Sequence, residues 1–318
     1  MAGLLTTLPH MSLPATPATL VDALANGDRR ALARAISLVE DRREGSDDIV
    51  SAAYARGRDA HVVGITGSPG SGKSTLTDRL ITGYRASGSQ VGVVAVDPAS
   101  PFTGGALLGD RIRMQDHVGD QGVYVRSMSS RGHLGGLADA SSKVVGILDA
   151  AGFDPILLET VGVGQSEIEV VETADTSIVV LTPGWGDGVQ AAKAGILEIG
   201  DLFVVNKADL GGAEHVVRDL AQMLELGPAR DWRPPIVVCS ARTGDGIDRL
   251  LSAIEDHRTH LASGAGIERR RHRIQLTIRR AMTARIAAEM HSRPIPPESV
   301  DRVVARSIDP WTLARELG

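Results

Sequence analysis

The stretch HVVGITGSPGSGKST, residues 61–75, decides how the rest of the chain is read. Its apolar opening, Val62-Val63-Gly64-Ile65, predicts a buried strand. The strand leads into Gly67-Ser68-Pro69-Gly70-Ser71-Gly72-Lys73-Ser74, a full match to GxxxxGK[ST], followed by Thr75 and a helical pattern over Leu76–Tyr84. This order has a chemical purpose. Glycines let the backbone wrap phosphate oxygens, so that successive N–H groups and a helix N-terminus face negative charge. Lys73 is placed to reach β- and γ-phosphates, and the Ser74 hydroxyl to ligate Mg²⁺. A glycine-rich turn that binds nothing would not need every fixed position. The stretch therefore predicts nucleoside triphosphate binding.

Working outward, apolar runs at 61–66, 91–96, 123–128, 155–159, 177–182, 202–206 and 235–239 alternate with helical segments. The alternation predicts an α/β fold, a P-loop NTPase domain with a mostly parallel sheet and helices on both faces. Its ligand would bind beyond the carboxyl ends of the strands. Residues 1–17 are rich in proline, threonine and small residues and predict a disordered tail. Residues 18–60 predict a helical extension, with Leu32, Ile36 and Val39 on one face and Asp47 as an N-cap. The nucleotide domain spans 61–262. Beyond it, over 263–318, Ile274, Ile278, Met282, Ile286 and Met290 recur every fourth residue. They predict a long helix with an apolar stripe that needs a partner surface.

Composition narrows the setting. The 318 residues carry a formal net charge of −5, which argues against nucleic acid as a general partner. The basic run Glu268–Arg273 would be a nucleic-acid patch or a solvated helix face, and the acidic total favours the solvated face. No apolar run approaches the roughly 18 residues a membrane helix needs, and the N-terminus lacks the basic start and apolar centre of a signal peptide. The one cysteine, Cys239, fits a reducing cytoplasm. Of 34 Lys plus Arg, the lysines are Lys73, Lys143, Lys193 and Lys207. Lysine kept amid arginine marks positions where a compact charge on a flexible stem is useful. Lys143 has no supporting context and reads as a surface residue.

Asn206-Lys207-Ala208-Asp209 follows the strand-like Leu202–Val205 in the NKxD pattern. The Asp209 carboxylate can accept from the N1–H and N2–H₂ edge of guanine, which adenine cannot donate. Asn206 and the Lys207 stem would hold the loop and cover the base. Cys239-Ser240-Ala241-Arg242 resembles the small-residue loop that offers a backbone N–H to guanine O6. For Mg²⁺, the oxygen donors at strand ends and in the adjoining loop are Ser74, Asp97, Asp110 and Glu159, the last also able to act through water. Gly162, three residues after Glu159, can donate its N–H to a γ-phosphate and so distinguish GTP from GDP. Many GTPases place a water-orienting glutamine directly after that glycine. Here Val163 occupies the position and Gln165 follows two residues later, so unaided hydrolysis should be slow.

Four further segments, VDPASPFTGGALLGDRIRM (96–114), SSRGHLGGL (129–137), ETVGVGQSE (159–167) and PGWGDGVQAAKAG (183–195), resemble the MeaB/ArgK family over about residues 20–318. These are GTPase chaperones of adenosylcobalamin-dependent methylmalonyl-CoA mutase. The resemblance implies a homodimer through a C-terminal helical arm, and Mg²⁺ at Ser74, Asp97 and Asp110 with Glu159 nearby. It also implies an extra switch in which Asp187, Gln190 and Lys193 respond to the mutase; Lys193, one of the four lysines, is the candidate for a positive charge supplied when a partner binds, against an ordinary exposed helix lysine. His133, after Arg131, would be a conformational or partner contact. A second reading is a kinase acting on a periplasmic amino-acid-binding protein, although no acceptor site or poised base is visible.

Overall fold

The computed structural model describes residues 16–97, 117, 119–129, 136–160, 173–183, 200–227 and 231–317. Seven strands, β1 (Val62–Gly67), β2 (Val91–Asp97), β3 (Val123–Ser129), β4 (Ile156–Thr160), β5 (Thr176–Leu181), β6 (Leu202–Val205) and β7 (Ile236–Val238), form one sheet in the order β3-β2-β4-β1-β5-β6-β7. Every pair is parallel. This is the architecture that the alternation of apolar runs predicts, and each observed strand overlaps its predicted run. The strands are readable because both faces of a parallel sheet are covered, which makes them nearly continuous in apolar residues.

The period-two alternation of side chains sorts them between the faces. Val63, Ile65, Val91 and Val93 pack with Leu76 and Leu80 of α4 (Lys73–Ala86) and with Leu250 and Ile254 of α7 (Ile247–Ala262). Val62, Val94 and Val96 face the other way, onto α5 (Gly136–Ala150) and the N-terminal helices α1 (Pro17–Ala25), α2 (Arg29–Glu40) and α3 (Ser46–Tyr54). Helix α6 (Ala213–Leu226) packs on Phe203 and Val205 of β6. Leu32, Ile36 and Val39 lie in this core as their spacing predicts. The cap of α3 differs from expectation. Gly45, in a left-handed conformation, precedes the helix, and Asp47 sits within its first turn. There its charge favours the helix N-terminus without capping it. The exposed Asp47 carboxylate lies 3.8 Å from Lys143 Nζ, so Lys143 takes part in an ion pair at the surface between α3 and α5.

At the amino ends of the strands, three aspartates repeat one arrangement. Asp154 accepts from the His61 N–H at 3.0 Å and from Arg258 at 2.7 Å. Asp175 accepts from the Val62 N–H at 2.9 Å and pairs with Arg273. Asp201, buried, accepts from the Ser177 N–H at 2.7 Å and from both terminal nitrogens of Arg269 at 2.5 and 2.6 Å. Arg269 and Arg273 belong to α8 (Gly264–Ser292), whose neighbour Arg270 pairs with Asp59. In the basic run at 268–273, Glu268, Arg270, Arg271 and His272 are exposed, as the solvated-face reading expects, while Arg269 and Arg273 turn inward. Two of its four arginines, Arg269 and Arg273, anchor the long helix to the sheet.

Between these ties lies a buried polar chain. Thr176 Oγ1 is 2.7 Å from both His61 Nε2 and His257 Nδ1, and His257 Nε2 lies 3.6 Å from Asp201. Burial pushes both imidazoles down to about 4. Further along α8, Ile274, Ile278, Met282, Ile286 and Met290 are all exposed. Two short helices, α9 (Pro297–Val304) and α10 (Pro310–Leu317), follow it. Among the described residues no helix is long and apolar enough to cross a membrane.

Candidate nucleotide-binding site

The carboxyl end of β1 delivers the chain into the loop at 67–72. Gly67 has φ +140°, and a Cβ there would stand 2.3 Å from the Val180 carbonyl oxygen of β5. Gly72, at φ +90°, would place a Cβ 2.4 Å from Asn206 Nδ2. No side chain fits at either position, so these two glycines are fixed by geometry. Pro69 and Gly70 are exposed at the tip, and Thr75 is exposed in the first turn of α4. No side chain caps that helix. Its first-turn N–H groups therefore stand at the positive end of the helix dipole without a side-chain acceptor at Gly72. Lys73, buried, folds back to donate to the carbonyls of Gly67 at 2.5 Å and Ser68 at 2.9 Å. The Ser68 and Ser71 hydroxyls are buried, with no hydrogen-bond partner among the described residues.

Ser74 Oγ donates to Glu159 Oε1 at 2.6 Å, inside the protein, and Glu159 is fully buried. The sheet sets this contact, because Glu159 of β4 is in register with Ile65 of β1. Asp97 ends β2 one residue past Val96, which pairs with Thr160. The structure therefore brings Ser74 and Glu159 together and puts Asp97 at the neighbouring strand end. Asp110, Gly162, Gln165, Asp187, Gln190 and Lys193, with Arg131 and His133, lie outside the described residues.

The loops after β6 and β7 make the second half of the site. Asn206 spans both halves, donating from Nδ2 to the Ser71 carbonyl at 2.8 Å and accepting on Oδ1 from the Ala241 N–H at 3.0 Å. Lys207 takes a left-handed backbone, φ +60°, uncommon for a side-chain-bearing residue. Its Cε comes within 3.9 Å of where a Gly72 Cβ would be. Asp209 accepts from Ser240 Oγ at 2.5 Å on Oδ1 and from Arg242 on Oδ2. Ser240 first, and Arg242 second, hold its carboxyl below the usual range. Cys239 is buried, its thiol pushed up to about 12 by desolvation, so it is packing rather than chemistry.

One contributor was not visible in the sequence. Arg79 of α4 donates to the carbonyls of Ala241 at 2.9 Å and Arg242 at 3.1 Å, tying the phosphate helix to the loop after β7. An arginine on an amphipathic helix carries no local signal of such a role. Only the sheet order, which sets α4 beside α7 and the β7 loop, creates it.

Fold and site together define a P-loop protein of the GTPase type. The family model described as methylmalonyl Co-A mutase-associated GTPase MeaB matches residues 32–294, and the chain belongs to that family. A protein of Pyrococcus abyssi, provisionally named a GTPase, is 48% identical over 303 residues, covering 93% of this chain and 94% of its own. GTPase ArgK of Escherichia coli is 36% identical over 264 residues, 80% of each chain. The mouse methylmalonic aciduria type A homolog, mitochondrial, is 35% identical over 77% of this chain and 64% of its own length. A crystal structure reported as that of an LAO/AO transport system kinase aligns with a TM-score of 0.73 at 26% identity, covering 98% of both chains.

Proposed function

We propose that the chain is a Mg²⁺-dependent, cytoplasmic GTPase that assembles with an adenosylcobalamin-dependent methylmalonyl-CoA mutase and gates loading of its cofactor. The observation that carries this reading is Asn206. One side chain ties the phosphate loop at Ser71 to the base loop at Ala241, so a nucleotide would be gripped at both ends at once. The buried Ser74–Glu159 pair offers hard oxygen donors where Mg²⁺ would sit beside β- and γ-phosphates, with Asp97 and Asp110 as further ligands. A bound Mg²⁺ would offset charge on the phosphate oxygens.

The chain's own residues do the rest. Lys73 would exchange its two backbone carbonyls for phosphate oxygens, and the loop N–H groups at Gly67–Thr75 would cradle them. Gly162 would report the γ-phosphate. Water attacks the γ-phosphorus, the bond to the bridging oxygen breaks, and GDP and phosphate leave. With Val163 where many GTPases carry glutamine, turnover is slow until a partner orders Asp187, Gln190 and Lys193. Segments 18–60, 61–262 and 263–318 act as extension, G domain and dimerisation arm. The relatives' names favour a GTPase over the kinase reading.

The test is GTP and ATP turnover with and without purified mutase. Hydrolysis of GTP alone, accelerated by the mutase, is expected. Equal use of ATP would remove the guanine reading, and no response to any mutase would remove the partner. For the arm, Ile278→Asp with Met282→Asp should convert a dimer into monomer. A wild-type mass near 33.4 kDa by light scattering would count against the dimer.

A further inference from the structure

The nucleotide site is built from two blocks. The loops after β6 and β7 form one, because the Ala208 N–H donates to the Cys239 carbonyl at 3.1 Å and Ser240 Oγ donates to Asp209 at 2.5 Å. The loop after β7 is also closed on itself. The Ser240 N–H donates to the Asp245 carbonyl at 2.9 Å, and the Gly244 N–H to the Ser240 carbonyl at 2.8 Å. The loop at 67–72 with α4 is the other block. Two side chains join the blocks from opposite directions. Asn206 reaches from the base block to the Ser71 carbonyl at 2.8 Å. Arg79, half-buried, reaches from α4 to the carbonyls of Ala241 at 2.9 Å and Arg242 at 3.1 Å.

Arg79 lies six residues beyond Lys73, about 9 Å along α4, so the two ties are well separated. One tie alone is a pivot, whereas two fix the angle between the blocks. GDP spans both blocks, so each end of it keeps the other in place only while that angle holds. A base that slips out is returned at high effective concentration by the phosphates still bound. When the base block can swing about Asn206, the returning base meets a displaced loop, and the phosphates leave next. Such a change falls on dissociation far more than on association.

We propose that Arg79 is a positioning residue that sets the lifetime of bound GDP, its fork locking the base loops to the phosphate helix. The proposal rests on the reading of the two blocks as one guanine-nucleotide site.

The test follows release of N-methylanthraniloyl-GDP, chased with excess GDP, from wild type, Arg79→Ala and Arg79→Lys. Arg79→Ala speeds release by about five- to twentyfold, the scale of a charge-assisted hydrogen bond discounted for partial exposure, with association within about twofold. Lysine, with no fork to span two carbonyls, restores less than half of the lost lifetime. Ligands that touch a single block separate coupling from damage. Pyrophosphate and guanosine, as competitors of the labelled GDP, keep their affinities within about twofold in Arg79→Ala. Unchanged release overturns the proposal, and so do losses for pyrophosphate or guanosine as large as that for GDP. Asp209→Asn tests the level beneath. If it leaves GDP and guanosine affinity unchanged, the guanine assignment fails and Arg79's role with it; weakened GDP there, beside unchanged release in Arg79→Ala, removes the role of Arg79 alone.

Discussion

The two ends of the sheet use the same residue types for opposite purposes. At the amino ends, Asp154, Asp175 and Asp201 each hold a backbone N–H of a neighbouring segment and an arginine from the C-terminal helices. At the carboxyl ends, Lys73 rests on two carbonyls of its own loop, Ser68 and Ser71 keep buried hydroxyls unpaired among the described residues, and Asp209 retains acceptor capacity. Charge that is closed on both sides by hydrogen-bond partners within the fold is structure. Charge held in place by one side, with the other facing an opening, is a site. The distinction lies in the satisfaction of hydrogen bonds, not in residue identity.

The largest effect should come from the closed end. Asp201→Ala leaves the buried Ser177 N–H and the half-buried Arg269 without their acceptor, a loss of about 2–4 kcal/mol once the exposure of the arginine is discounted. Chemical denaturation should show it, with the preference for GDP over IDP, which lacks the exocyclic amino group, untouched. A change in base discrimination there would erase the contrast between the two ends. The open end should respond in the reverse sense. Asp209→Asn is expected to weaken GTP by about two orders of magnitude and to improve xanthosine triphosphate, with the melting temperature nearly constant.

The buried histidines give a graded test. His61 and His257 are neutral in the fold, with values of about 4, while the unfolded chain takes up their protons below about 6.5. Their contribution is complete above the unfolded value and is lost as pH falls towards 4. Roughly 1–3 kcal/mol per histidine should disappear across that window. Melting curves from pH 7 to 5 measure it, and His257→Gln should flatten the slope; an unchanged slope would show that the histidines titrate normally. The smallest effect belongs to Arg270→Ala. Its pair with Asp59 is exposed on both sides, so stability should move by about 0–1 kcal/mol and only at low salt.

The sequence was most legible where one local cause dominates. Strands buried on both faces read as apolar runs, and Gly67 and Gly72 read as a phosphate loop from their spacing alone, without their close approaches to Val180 and Asn206. Asp209 and Ser240 were legible as a pair of loops at strand ends. The aspartates at 154, 175 and 201 were not. An aspartate just before a strand looks like a turn residue, and its partner depends on β1 lying between β4 and β5. Asp47 reads as an N-cap from its residue type, but glycine is also accepted at that position and Gly45 begins the helix two residues earlier. Arg79, Arg269 and Arg273 gained their roles from non-local packing, which periodicity does not encode.

The spacing on α8 constrains any companion that covers it. Steps of four residues advance about 40° beyond a full turn, so the ribbon from Ile274 to Met290 winds roughly 160° around the helix in about 24 Å. A straight rod laid along the axis would meet only part of that ribbon. Ridges built on fourth neighbours interlock instead at about −50°, a scissor crossing rather than a zipper. Whatever embraces α8 must therefore bend, or arrive as more than one piece.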